Sequence, residues 1–163
     1  MSPKHEEILA TVKEWLGKQT SINVTDLSKN GNLIIQITQK NLDKIPVFIA
    51  RSKEYEDILL VGWAWPLTPA DTSSFQKLEK GKLNVIMDSL SRSVLQMNLN
   101  IRFNPSIEDL RVIECERVLK VDELTKTKLL TALADNVIAL KIIGQKMISE
   151  LALPSRFDPA SNV

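Results

Sequence analysis

One cysteine and one histidine are all that this 163-residue chain offers of the side chains most used to bind metals or sulfur. Cys115 alone cannot close an internal disulfide, which fits a reducing compartment. A metal site needs several nitrogen, sulfur or oxygen ligands converging on one point, and no such set is visible. His5, close to the start, reads as a solvated surface residue. Cys115 alternates onto the face of Ile113 and Leu119 and has no base nearby, so it reads as buried filler and not as a thiolate nucleophile. Charge of one sign is also missing: 21 basic and 20 acidic side chains leave a net charge of +1. Nucleic-acid binders draw affinity from neutralising phosphates and normally carry a basic excess, so nucleic acid is disfavoured. No apolar run approaches the ~18–20 residues that cross a bilayer. The segment Met1-Ser2-Pro3-Lys4-His5-Glu6-Glu7 lacks the apolar stretch of an export signal. The expectation is a cytoplasmic protein with no membrane contact, in which the glycosylation triplet Asn23-Val24-Thr25 has no meaning. Neither Gly-x-x-x-x-Gly-Lys nor Gly-x-Gly-x-x-Gly occurs, so nucleotide loops of those kinds are excluded and no cofactor is expected.

What remains is ordinary globular material, with 44% hydrophobic and 25% charged residues, enough for one core and too little for two. Residues 1–153 read as a single α+β domain and 154–163 as a tail without periodicity. Ser2 and Pro3 suit a helix start, and Ile8, Val12, Trp15 and Leu16 share one helical face. Strands are expected from Ile22 to about Leu27, across Leu33, Ile35 and Ile37, from Ile45 to Ala50 and from Ile58 to Trp65. Asn30-Gly31 is a strong signal for a two-residue hairpin turn, both of whose central positions need positive φ. Pro46 argues that its strand lies at an edge or at its own start. The segment Ile58–Trp65, apolar on both faces apart from Gly62, reads as a strand that is either central or covered on both sides. Thr68-Pro69 opens a second helix whose buried face runs through Leu83, Ile86, Leu90, Val94 and Met97, with Gly81 as a weak point. Two more strands, Leu99–Phe103 and Val112–Leu119, precede a long helix capped by Asp122 and running to about Ala152. The fold class expected is therefore α+β: one twisted antiparallel sheet of five to six strands carrying an N-terminal, a middle and a long C-terminal helix, in the order αββββαββα.

Acidic groups do not make a site by composition alone. Glu54, Glu56 and Asp57 read as a charged turn, and Glu114 with Glu116 as a solvated strand face, since acid–base work needs a desolvated carboxyl and a pocket. Two apolar features are candidates for contact with a partner. Trp63 and Trp65 project to one side of their strand and extend the strip of Leu59 and Val61; the strip either packs under a helix or meets a partner. Val137, Leu140, Gly144 and Met147 lie on a heptad-like seam of the last helix, whose second flank can be left for another protein.

The order of elements resembles the small α+β fold of the type III secretion chaperones, which set helices against one twisted antiparallel sheet. Within that group the chain is similar to an uncharacterised archaeal family. Val12-Lys13-Glu14-Trp15-Leu16, Gly62-Trp63-Ala64-Trp65 and Val121-Asp122-Glu123-Leu124-Thr125-Lys126 carry the likeness. It implies a dimer that binds other proteins and has no catalytic residues. The chain departs from the group in being less acidic and in opening with four strands. The leading expectation is thus a non-enzymatic interaction, adaptor or chaperone-like module, a homodimer with an unidentified protein partner. The alternatives are an enzyme or small-ligand binder with a pocket hidden from sequence, and a nucleic-acid-associated protein using Arg92, Arg102 and Arg111.

Overall fold

The first helix, α1 (His5–Gly17), buries Ile8, Val12 and Leu16 at the spacing of one helical face. A computed structural model describes residues 5–39 and 42–151; residues 154–163, read as a tail, lie outside them. Four strands follow: β1 (Ile22–Asp26), β2 (Leu33–Gln39), β3 (Leu42–Arg51) and β4 (Ile58–Pro66). Asn30 and Gly31 take φ of 55° and 77°, the two positive values that the hairpin turn between β1 and β2 requires. The chain then forms α2 (Pro69–Gln76), α3 (Lys80–Leu95), β5 (Asn100–Pro105), β6 (Leu110–Lys120), a single 3-10 turn at Val121–Glu123 and α4 (Lys126–Leu151).

The six strands make one antiparallel sheet in the order β1-β2-β3-β4-β6-β5, the α+β architecture expected. Three details differ from the sequence reading. The middle helix is two helices, broken at residues 77–79. Thr68 caps α2 through a reciprocal pair, Asp71 N–H to Thr68 Oγ1 and Thr68 N–H to the Asp71 carboxylate, and a separate helix starts at Lys80. Gly81 lies inside the first turn of α3 and is not the break. Pro46 sits in an interior strand, where a missing N–H is normally costly. The β2–β3 ladder slips between Ile37 and Gln39, and the β3–β4 pairing covers only Phe48 to Ala50. Pro46 falls in the gap between the two, where no ladder bond is lost. The last helix starts later than Asp122: Thr125 Oγ1 accepts from Lys128 N–H, and Asp122 belongs to the 3-10 turn.

All four helices of the described residues serve one side of the sheet. Leu33, Ile35 and Ile37 of β2, Val47 and Ile49 of β3, and Leu59, Val61, Trp63 and Trp65 of β4 are buried there, with Ile113 and Cys115 of β6. The α1 helix is tied to β1 and β3 by Lys13 Nζ to Asp26 Oδ2 at 2.5 Å and by His5 Nδ1 to Arg51 Nη1 at 3.2 Å. The α4 helix crosses β3, β4 and β6, and α3 lies against β5. Arg117 on β6 joins these layers, donating to the carbonyls of Met97 and Asn98 beyond α3 and to Asp135 of α4 at 2.6 Å.

Candidate functional site

Strand parity determines what the other side of the sheet presents. Register partners place Ile34, Ala50, Leu60 and Val118 in one row across β2, β3, β4 and β6. The neighbouring row is Thr25, Gln36, Phe48, Gly62, Glu116 and Asn100, and the next holds Ala64, Glu114 and Arg102. None of these side chains is fully buried: Phe48 and Leu60 are half-buried, Ala64 is exposed and Val118 is 44% exposed. The face therefore has an apolar centre and polar borders. Thr25 and Gln36 stand on one side. On the other, Arg102 reaches Glu116 at 2.9 Å and Glu114 at 3.4 Å, and Asn104 Nδ2 donates to Glu114 at 2.6 Å. A shallow depression of about 170 Å³ lies over Phe48, Leu60, Gly62 and Arg102.

Gly62 sets the depth of that depression. A Cβ at this position would lie 2.3 Å from the Cys115 carbonyl oxygen and 2.8 Å from Glu116 Cβ, so β4 and β6 come together there as only glycine allows. Phe48 stands directly opposite on β3. Sequence alternation alone brings out these residues once β4 is known to be central. What it leaves open is which side of the strand the helices take.

The tryptophans go the other way. Trp63 and Trp65 are 3% and 2% exposed, on the helical side of the sheet. The partner-surface reading of that strip is thereby corrected: of its two readings, packing under a helix is the one found. Trp63 Nε1 donates to the Asn136 carbonyl at 3.1 Å, and Asn136 Nδ2 donates to the carbonyls of Val61 and Ala132 at 3.0 and 2.9 Å. Asn136 is wholly buried in the apolar seam, a polar clamp between α4 and β4 that the hydrophobic period conceals. The seam is mostly core as well. Leu140 and Met147 are 1% and 0% exposed and Gly144 is buried, so these three are not a partner surface either. Val137 alone is half-buried, and the exposed flank passes through Ile138.

The titratable groups do not converge. Among the described residues no three His, Cys, Asp or Glu side chains are grouped to hold a metal ion. Cys115 is buried, and burial, reinforced by the charge of Glu116, pushes its thiol up to about 12, far from a thiolate at neutral pH. His5 is not the solvated residue expected. Its Nδ1 lies against the guanidinium of Arg51, itself only 2% exposed and bound to the Glu56 carbonyl, and burial with the Arg51 charge lowers its pKa. Arg92, Arg102 and Arg111 each meet a carboxylate: Asp88 at 2.8 Å, Glu116 at 2.9 Å and Asp109 at 3.0 Å. No helix among the described residues is long and apolar enough to cross a membrane.

Residues 8–147 match the family described as "Uncharacterized conserved protein (DUF2299)". The chain belongs to that family. No curated protein matches it. The fold recurs in the crystal structure of an uncharacterized protein from Methanothermobacter thermautotrophicus, with a TM-score of 0.70 at 11% identity. That alignment covers 87% of this chain and 97% of the archaeal one, and at such identity it establishes a shared fold for this DUF2299 member and nothing further.

Proposed function

We propose that this chain is a non-enzymatic, chaperone-like protein-interaction module of the cytoplasm, and that a second copy of the chain packs on the open face of its sheet. The observation carrying the proposal is the apolar row Ile34, Ala50, Leu60 and Val118, flanked by Phe48, on a face that no helix among the described residues covers. A sheet face turned to water normally alternates to polar side chains, whereas an apolar centre inside a polar border is the anatomy of an interface. The size agrees. Six strands ~4.8 Å apart and averaging about eight residues span roughly 24 by 26 Å, on the order of the ~800 Å² per partner of a standard interface. The likeness to the type III secretion chaperones, which pair and bind other proteins, favours the same reading.

Light scattering after gel filtration tests it. The wild-type chain, 18.4 kDa as a monomer, is expected at twice that mass, and Val118→Glu at the monomer mass with an unchanged circular dichroism spectrum. Leu60→Lys, on a second strand of the same row, repeats the test. A wild-type monomer, or two variants that remain dimers, would overturn the proposal.

A further inference from the structure

On the helical side of the sheet, away from the open face, a crevice of about 330 Å³ separates α4 from the ends of β1, β2 and β3. Coverage thins toward it. Leu33, Ile35 and Ile49 are 0% exposed, whereas Ile37, Ile45 and Val47, which line the crevice, are 4–6% exposed. The reason is local: α1 ends at Gly17 and α4 lies chiefly on β4 and β6, so neither helix fully covers this corner. The α4 wall is Leu133 and Val137 with Ile138 at the mouth, and Ile138 is 47% exposed. Interiors normally pack to crystal density, so an apolar gap of this size beside an exposed isoleucine is unusual for a surface with nothing to bind.

The composition of the lining specifies the ligand. Its described residues include no charged side chain. Its polar members are Gln19, Ser21 and Gln39, and they stand together, because Ile22 pairs with Gln39 across the β1–β2 ladder and Ser21 and Gln19 precede it in the chain. Neither glutamine side chain makes a hydrogen bond among the described residues, and both stand in the lining, where a bound group can meet them. Ligand sites of ~300–1,000 Å³ are mainly apolar, with a few polar groups that fix orientation. We infer that this crevice binds a small uncharged molecule, mainly aliphatic, with a hydrogen-bonding group at one end that meets Gln19 and Gln39.

The test uses N-phenyl-1-naphthylamine, an uncharged fluorophore that brightens in apolar sites, with the full chain. Saturable fluorescence is expected, reversed by decanol and not by decanoate at neutral pH, since a carboxylate would be desolvated there with no charged partner among the described lining residues. Ala134 lines the crevice from α4, and Ala134→Phe should fill it and weaken the probe by about tenfold or more. Ile138→Ser, at the exposed mouth, provides a second variant that leaves the core intact. Val118→Glu, on the opposite face, should bind the probe like the wild type, which separates this inference from the dimer proposed above. The inference is overturned by no saturable binding, by equal displacement with decanoate, or by unchanged binding in both crevice variants. It is equally overturned if Ala134→Phe turns a dimer into a monomer, because a second copy would then be the occupant.

Discussion

Gly62 and Gly81 undergo the same substitution to alanine with opposite results expected. Gly62 lies on the central strand and pairs with Phe48 on one side and Glu116 on the other. Its new methyl would meet a backbone oxygen at 2.3 Å, and that oxygen belongs to a ladder of nine consecutive register pairs between β4 and β6. A flexible side chain could turn aside, but a carbonyl in the middle of a ladder can retreat only by opening it. Overpacking of this kind costs about 3 kcal/mol. The smaller entropy of the unfolded alanine chain offsets roughly 0.7 kcal/mol of that. A net loss of about 2 kcal/mol lowers the melting temperature by roughly 4–8 °C for a chain of this size. Gly81, in the first turn of α3, has nothing within 4 Å of its prospective Cβ. There the entropic gain is unopposed, and Gly81→Ala should raise stability by ~0.4–1 kcal/mol. Thermal and urea melts of the two variants beside the wild type decide the matter. If Gly62→Ala melts at or above the wild-type temperature, the close approach of β4 and β6 is wrong, and the depression on the open face is wrong with it.

Two further predictions concern buried chemistry. His5 is the single histidine, and its lowered pKa comes from burial first and the Arg51 guanidinium second, opposed by the carboxylate of Glu56. A folded pKa below the unfolded value means that the native state binds fewer protons, so its stabilising effect is present above 6.5 and is lost as pH falls through that value toward the folded one. Urea midpoints should therefore drop between about pH 7.5 and about pH 5.5, and His5→Gln should flatten that slope; an equal slope in the variant refutes the assignment. Cys115, with its thiol pushed up to about 12, should resist an aromatic disulfide reagent in the native protein at about pH 8 and react fully in denaturant. Stoichiometric labelling of the native chain would refute its burial.

Features determined by neighbours in the chain were legible without coordinates. The Asn30-Gly31 turn, the Thr68 cap and the apolar face of α1 each depend on interactions within a few residues, and each stands where its residue types place it. Features determined by packing were not legible. A run from Thr68 to Met97 carries one helical period, but Lys77, Leu78 and Glu79 leave it, so Phe75 and Leu83 enter the core from two separate helices. Pro46 looks like an edge residue until the slipped β2 ladder and the short β4 pairing show that its missing donor is never needed. Asn136 interrupts an apolar seam, which the hydrophobic pattern treats as a lapse. Its side-chain amide instead anchors α4 to the Val61 carbonyl, and its backbone carbonyl accepts from the indole N–H of Trp63.

The open face follows from the same central strand. In β4 the helix side carries Leu59, Val61, Trp63 and Trp65, while the other side carries Leu60, Gly62 and Ala64. Apolar character on both sides leaves the choice of covered face open in the sequence. Volume decides it, because burying two tryptophans removes far more apolar surface from water than burying an alanine and a glycine. What is left outward is apolar yet low in relief, flanked by Ala50 on β3 and Val118 on β6. Such a surface gains little from one protruding side chain and much from a second flat face, since sheets stack ~10 Å apart when their facing side chains are small enough to interdigitate. A partner that docks by a sheet, as the proposed second copy of this chain would, fits that relief better than one that docks by a single helix.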